Sequence, residues 1–323
     1  MSKISELQKH DKDAGIKQRL SEANARVKAL EGQLELATKQ LESKNASRFK
    51  LSIGKSKGTK GTGFCRVVIP DSHGSAICKP AAKAFLTDLE LIKPSEIVML
   101  GDHVDCGGFL AQHHTLGYVA QADYSFVDDV TAANIFLDEI QAKAGGASID
   151  YLEGNHERRI ESWIVTQTLG KKKDAEFLKS CFSITSTLNL EKRGLRLIEQ
   201  GKFYDKVQLP ATIRKGNCYF THGSSTAKHA ASVHLNRFGG NVVFGHTHRR
   251  DSYFSKTVKE GSLGAWNPGC LSELQPLWQH TNPTDWAHGY GLQMVRSNGD
   301  FLHINVPIVN GKSLLNPLIE ELK

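Results

Sequence analysis

Ile97-Val98-Met99-Leu100-Gly101-Asp102-His103-Val104-Asp105 reads as a strand that stops at a glycine and hands over to two carboxylates and an imidazole. Outward from it, in both directions, the same construction recurs. Val67-Val68-Ile69 leads into Asp71-Ser72-His73, and Ile149-Asp150-Tyr151-Leu152 leads into Gly154-Asn155-His156-Glu157. Further on, Cys218-Tyr219-Phe220 runs into Thr221-His222-Gly223, and Val242-Val243-Phe244 into Gly245-His246-Thr247-His248. Short apolar or β-branched runs of this kind are strands. Side chains on the loops after successive strands of an α/β sheet converge at one edge. Carboxylate, imidazole and amide donors gathered there suit hard and borderline divalent ions such as Mn²⁺, Fe²⁺ and Zn²⁺. A core histidine or a helix-capping aspartate explains any one of these motifs. It explains five in succession poorly.

In this order the motifs resemble the signature of the calcineurin-like metallophosphoesterase superfamily, D-x-H, G-D-x-x-D, G-N-H-D/E, an isolated His and G-H-x-H. They run from Asp71 to His248, just over half the chain. Asn267-Pro268-Gly269-Cys270 resembles the N-P-G segment that often comes after the last motif, and Trp286-Ala287-His288-Gly289-Tyr290 resembles phage and prokaryotic members. The resemblance implies an α/β fold, a four-layer α/β/β/α sandwich. It implies that Asp71, His73 and His248 hold one divalent ion, that Asn155, His222 and His246 hold a second, and that Asp102 bridges them. Two ions about 3.5–4 Å apart clamp the attacking and leaving oxygens of an in-line displacement and make metal-bound hydroxide available near neutral pH. Mn²⁺ is the leading expectation, with Fe²⁺, Zn²⁺ or Ni²⁺ as alternatives. His156 would be the general acid, oriented by Asp105. One departure bears on substrate. The protein Ser/Thr phosphatase branch has an arginine after the second Asp of G-D-x-x-D, where this chain has Cys106. A phosphodiesterase or nuclease is therefore the first expectation. A phosphomonoesterase acting on phosphoprotein or nucleotide is the second, and an oligomeric structural or adaptor protein on the same fold the third.

The 323 residues hold more than this domain. Ile16, Leu20, Ala23, Val27, Leu30, Leu34, Ala37 and Leu41 recur in steps of four and three, the seam of a coiled coil, so residues 1–43 are expected to form an oligomerising helix. Residues 44–63, rich in Lys, Gly, Ser and Thr, read as a flexible linker, and residues 64–323 as the catalytic domain. Charge divides at the same place. Residues 1–63 carry 14 Lys/Arg against 7 Asp/Glu, whereas the remainder carries 27 of each, so the net +7 belongs to the N-terminal part. The acid-free run through Lys44, Arg48, Lys50, Lys55, Lys57 and Lys60 suits either a polyanion or plain solvation. No apolar stretch reaches the roughly 20 residues of a membrane span. The polar N-terminus and six scattered cysteines suggest reduced thiols and a cytoplasmic setting.

Between the motifs, helices are expected at Lys79–Lys93 and Asp128–Ala144. The segment from Cys106 to Asp128, with His113 and His114, is expected to overhang the site, and residues 158–205 to form a specificity cap. His103 is expected beside the ligands rather than among them. His229, His234, His280, His288 and His303 read as structural. Arg158, Arg159, Arg249 and Arg250 are candidate phosphate contacts, and Lys171-Lys172-Lys173 reads as a solvated turn.

Overall fold

The apolar runs pair as parallel strands at the centre of a seven-stranded sheet. These are β1 (Phe64–Ile69), β2 (Glu96–Met99), β3 (Ser148–Leu152) and β4 (Arg196–Ile198). Helices α1 (Lys79–Ile92) and α2 (Phe126–Lys143) make the first two crossovers. Beyond β1 the sheet continues with antiparallel β12 (Gly289–Val295), β13 (Phe301–Val309) and β14 (Lys312–Ser313), in the order β14-β13-β12-β1-β2-β3-β4. A second sheet runs β10 (Arg250–Thr257), β11 (Gly261–Pro268), β9 (Asn241–Phe244), β8 (Cys218–Thr221), β7 (Thr212–Lys215). Short β5 (Phe203–Tyr204) and β6 (Val207–Gln208) pair with each other. The computed structural model describes residues 63–108, 110, 124–201, 203–204, 207–208, 210–258, 261–276 and 283–315, together with Lys28. The expected coiled coil, the basic linker and His113, His114 and His280 lie outside them, Lys28 and Gly63 excepted. The chain divides into two units, Met1–Ser52 and Ile53–Lys323, and both sheets belong to the second.

Parallel strands need apolar cover on both faces, and alternation along β1 supplies it. Val67 and Ile69 face helices α1 and α2 with Phe85, Leu89, Phe136 and Ile140, while Val68 faces the second sheet. Between the sheets Val68, Val98, Leu100 and Leu152 meet Ala211, Phe220 and Val243. On the far side α6 (Ala230–Phe238) lays Ala230, Ala231 and Leu235 against Val242, Phe244 and Ala265. The layers run helix, sheet, sheet, helix. Helix starts obey local chemistry: Pro80 stands in the first turn of α1, and Ser125 Oγ accepts the Asp128 amide at 3.2 Å. That cap starts α2 two residues before the expected Asp128.

Residues 158–205 are not a cap. They hold α3 (Arg158–Gln167), α4 (Lys172–Cys181) and α5 (Ile184–Thr187), then β4, which pairs in parallel with β3. Ile160, Ile164, Ile184, Leu188, Leu190 and Leu195 all join the main core, so most of the segment is a crossover. Lys172 opens α4 rather than a turn. Among the described residues no helix is long and apolar enough to cross a membrane, and all six cysteines are free.

Register places the site. Ile69 pairs with Met99 and Met99 with Tyr151, so the loops after β1, β2 and β3 leave at one level. Thr221 pairs with Phe244, which sets His222 level with the G-H-x-H turn.

Candidate metal centre

Two groups of donors lie where the carboxyl ends of the two sheets meet. In one, Asp71, His73 and His248 bring ligand atoms within 4.8 Å of one another, as do Asp102, His222 and His246 in the other; His73, Asp105 and His156 lie equally close together and share His73 with the first. His248 Nε2 lies 3.1 Å from both Asp71 Oδ2 and His73 Nε2. His222 Nε2 lies 3.3 Å from Asp102 Oδ2 and 2.8 Å from Asn155 Oδ1, so Asn155 stands with the second group. All seven expected ligands are thus gathered. The cross-sheet ties are direct: the Asp71 carboxylate accepts the His246 amide, and His222 Nδ1 donates to Leu100 O at 2.9 Å.

Hydrogen bonds choose the tautomers. A carbonyl oxygen only accepts, so His222 carries its proton on Nδ1 and turns Nε2 to the group. His73 Nδ1 lies 3.0 Å from Asp105 Oδ1, which likewise leaves Nε2 inward. His222 Nε2 therefore confronts two oxygens, an arrangement that calls for a cation. In the metal-free protein that cation is a proton: burial lowers the affinity of His222 for it, but Asp102, Asp71 and Glu157 outweigh burial and push the pKa up to about 10. His73 Nε2 and Asp71 Oδ2 make a similar pair of acceptors around His248 Nε2. Asp71 is driven to about 2, its burial overcome by His248. Four imidazoles, two carboxylates and an amide oxygen are a donor set that fits two borderline divalent ions.

The backbone is strained where the chemistry lies. His73 (φ 53°), Asp102 (φ 53°), Cys106 (φ 47°), His246 (φ 72°) and His248 (φ 58°) all occupy the left-handed region. Each costs about 1–2 kcal/mol, and such residues cluster at functional sites. Gly154 answers a different demand, since a Cβ there would come within 2.0 Å of Asp102 Oδ1.

Two buried carboxylates hold the strained loops. Glu157 accepts the amides of Asp102 (2.9 Å), His103 (2.7 Å) and Gly154 (2.9 Å) and the Tyr151 hydroxyl (2.7 Å). Asp129, from the first turn of α2, accepts the amides of Ser75 (3.1 Å), Asp105 (3.1 Å) and Cys106 (2.9 Å) and the Tyr124 hydroxyl (2.7 Å). Asp105 in turn serves two imidazoles. His156 Nδ1 donates to the Asp105 carbonyl at 2.6 Å and lies 3.2 Å from its carboxylate, which also takes His73. The expected Asp105–His156 pairing is present, then, but shared with the main chain. His156 Nε2 is 3.1 Å from Arg159 Nη2, and Arg159 also donates to Asp105 O at 2.8 Å. Burial disfavours the His156 cation, yet Asp102 and Asp105 hold its pKa above the ordinary value.

The remaining candidates fall outside the two groups. His103 lies 2.9 Å from Ser72 Oγ and edge-on to Tyr151, with burial driving its pKa to about 3. His234 stacks on Phe244, His288 donates to Ser272 O, His303 packs beside Trp266, and His229 precedes α6. Arg249 is engaged by Asp285, Thr226 O and Ala227 O, while Arg250 is exposed on β10. Motif reading missed Asp129 and Trp286, whose ring lies 4.0 Å from that of His248.

No protein-family model matches the chain, and no curated protein does. Solved structures resemble it more loosely. Vacuolar protein sorting 29 from Cryptosporidium parvum is 12% identical over 78% of this chain and 95% of its own, with a TM-score of 0.39. Chaetomium thermophilum Vps29 is 12% identical over 75% and 91%, TM-score 0.34. YfcE, a phosphoesterase from E. coli, is 13% identical over 75% and 98%, TM-score 0.32. Likeness at this level says nothing of this chain's chemistry, which has to be read from the site itself.

Proposed function

We propose that the chain is a two-metal phosphoesterase of the calcineurin-like kind, acting on phosphodiesters. The observation that carries this is the pair of adjacent His/Asp groups with a fifth imidazole, His156, set beside them next to His73 and Asp105. Asp71, His73 and His248 would hold one ion, and Asn155, His222 and His246 the other, with Asp102 between. When bound, the ions supply charge neutralisation for the phosphoryl group and a nucleophile at neutral pH.

The chain's own residues do the rest. Asp105 and its carbonyl take the Nδ1 proton of His156 and so direct Nε2 outward. A proton on Nε2, favoured by Asp102 and Asp105 and opposed by burial and Arg159, would serve a leaving oxygen once Arg159, a pure donor 3.1 Å from Nε2, turns to the ester. Arg159 adds positive charge next to that nitrogen, which helps to stabilise charge developing on the ester. Loop amides are tied down by Glu157 and Asp129, so little rearrangement is needed at the moment of reaction. The diester reading is supported by Cys106, buried and neutral where the phosphatase branch places an arginine, and by the basic residues 1–63.

Hydrolysis of bis-p-nitrophenyl phosphate and of p-nitrophenyl phosphate, with Mn²⁺ or with chelator, tests it. The diester should be the better substrate, chelator should abolish turnover, and His156→Ala should lower kcat by about 10²–10⁴ with metal retained. Preference for the monoester would instead make the chain a phosphatase. Absence of metal-dependent turnover on either would favour a structural or adaptor role.

A further inference from the structure

Trp286 is held against the candidate centre by neighbours on both sides. Its ring meets that of His248 edge to face, centroids 4.0 Å apart at 70°. The next residue donates its amide to His248 (Ala287 N to His248 O, 3.0 Å), and Cys270 N donates back to Ala287 O at 3.0 Å. Gly269 (φ 98°) permits that approach, since a Cβ there would fall 2.1 Å from Ala287 O. The preceding residue, Asp285, accepts from Arg249 at 3.3 Å, so both flanks of Trp286 are tied to the two residues that end the last motif turn.

A tryptophan present only for packing buries its ring and finds a partner for its N–H. Trp163 and Trp266 are partly exposed as well, but their rings lie against apolar core neighbours, Phe182 in one case and Phe301 in the other. Trp286 shares that partial exposure, but its ring neighbour is His248, a 4% exposed member of the first donor group. A rigid, partly exposed indole next to a phosphoester centre is a stacking surface, because every nucleobase has a π-face and stacking needs no particular hydrogen-bond pattern.

We infer that Trp286 stacks a planar base of the substrate, which makes the substrate class a nucleoside-bearing phosphodiester. This rests on the phosphoesterase reading above. The excess of 14 Lys/Arg over 7 Asp/Glu in residues 1–63, with its acid-free run from Lys44 to Lys60, suits the same class of polyanion.

Calorimetry on the full Mn²⁺-loaded chain tests the inference without relying on turnover. The probes are adenosine 5′-monophosphate, ribose 5-phosphate and inorganic phosphate, against the unsubstituted chain, Trp286→Leu and Trp286→Phe. The nucleotide should bind tighter than ribose 5-phosphate. Trp286→Leu should weaken the nucleotide about tenfold and leave the other two within about twofold, and Trp286→Phe should restore most of the loss. Equal weakening of all three probes would show a ring that only shields His248 and would overturn the inference, as would no change in any. Base-selective binding without hydrolysis of any ester would keep the stacking site and sink the phosphoesterase reading. Hydrolysis without base-selective binding would do the reverse.

Discussion

His222 shows how one residue answers both to the fold and to the chemistry. Its Nδ1 proton is committed to Leu100 O across the sheet interface, and its Nε2 faces Asn155 and Asp102. The pKa is raised to about 10. A raised value means that the proton stabilises the metal-free fold fully below the ordinary value near 6.5 and that this contribution fades as pH rises through about 10. A metal ion competes for the same nitrogen. Affinity should therefore rise with pH, and binding at pH 7 should release about one proton from this residue. Titration of Mn²⁺ in buffers of different ionisation enthalpy reads that number directly. Binding that is insensitive to the buffer would mean that His222 is not a ligand. The seven candidate ligand residues stood out in the sequence because each sits one to four residues after a strand. Trp286 stands within a recognisable motif, yet its contact with His248 was not legible. The two are 38 positions apart, and a backbone pairing across a loop brings them together.

At the scale of elements, α2 does more than cover the sheet. Its first turn delivers Asp129 under the loop that carries Asp105. From sequence, an aspartate there reads as a favourable partner for the helix dipole. Only the fold reveals four donors converging on it from residues up to 54 positions away. Asp129→Ala leaves three amides and the Tyr124 hydroxyl without their acceptor, and buried unpaired donors cost about 1–3 kcal/mol each, with incomplete additivity. We expect a loss of about 3 kcal/mol in urea unfolding, together with weaker metal binding, and a smaller loss for Asp129→Asn, which keeps one acceptor oxygen. Less than about 1 kcal/mol would mean that water replaces the carboxylate. The mistaken cap at 158–205 has a similar origin. Short, largely polar helices hide a three-residue strand, and β4 is recognisable only because β3 is there to pair with it.

For the whole molecule, the layering comes from strands that are apolar on both faces. These were readable as buried runs. The antiparallel extension β12 to β14 was not, since its outer residues Met294, Leu302 and Ile304 remain exposed and blur the alternation. The N-terminal heptads belong to a separate proposal, that residues 1–43 assemble copies of the chain. Deleting them should lower the mass seen by light scattering without abolishing turnover of a small diester, and an unchanged mass would remove the coiled-coil idea. The central claim is the pair of metal ions. The measurement that reaches it most directly is the metal content of the purified chain by mass spectrometry after equilibration with Mn²⁺, beside Asp102→Ala. The account predicts two ions per chain, falling to one or none in the variant together with loss of ester hydrolysis. No bound ion in the unsubstituted chain, or two ions and full activity in Asp102→Ala, would contradict it.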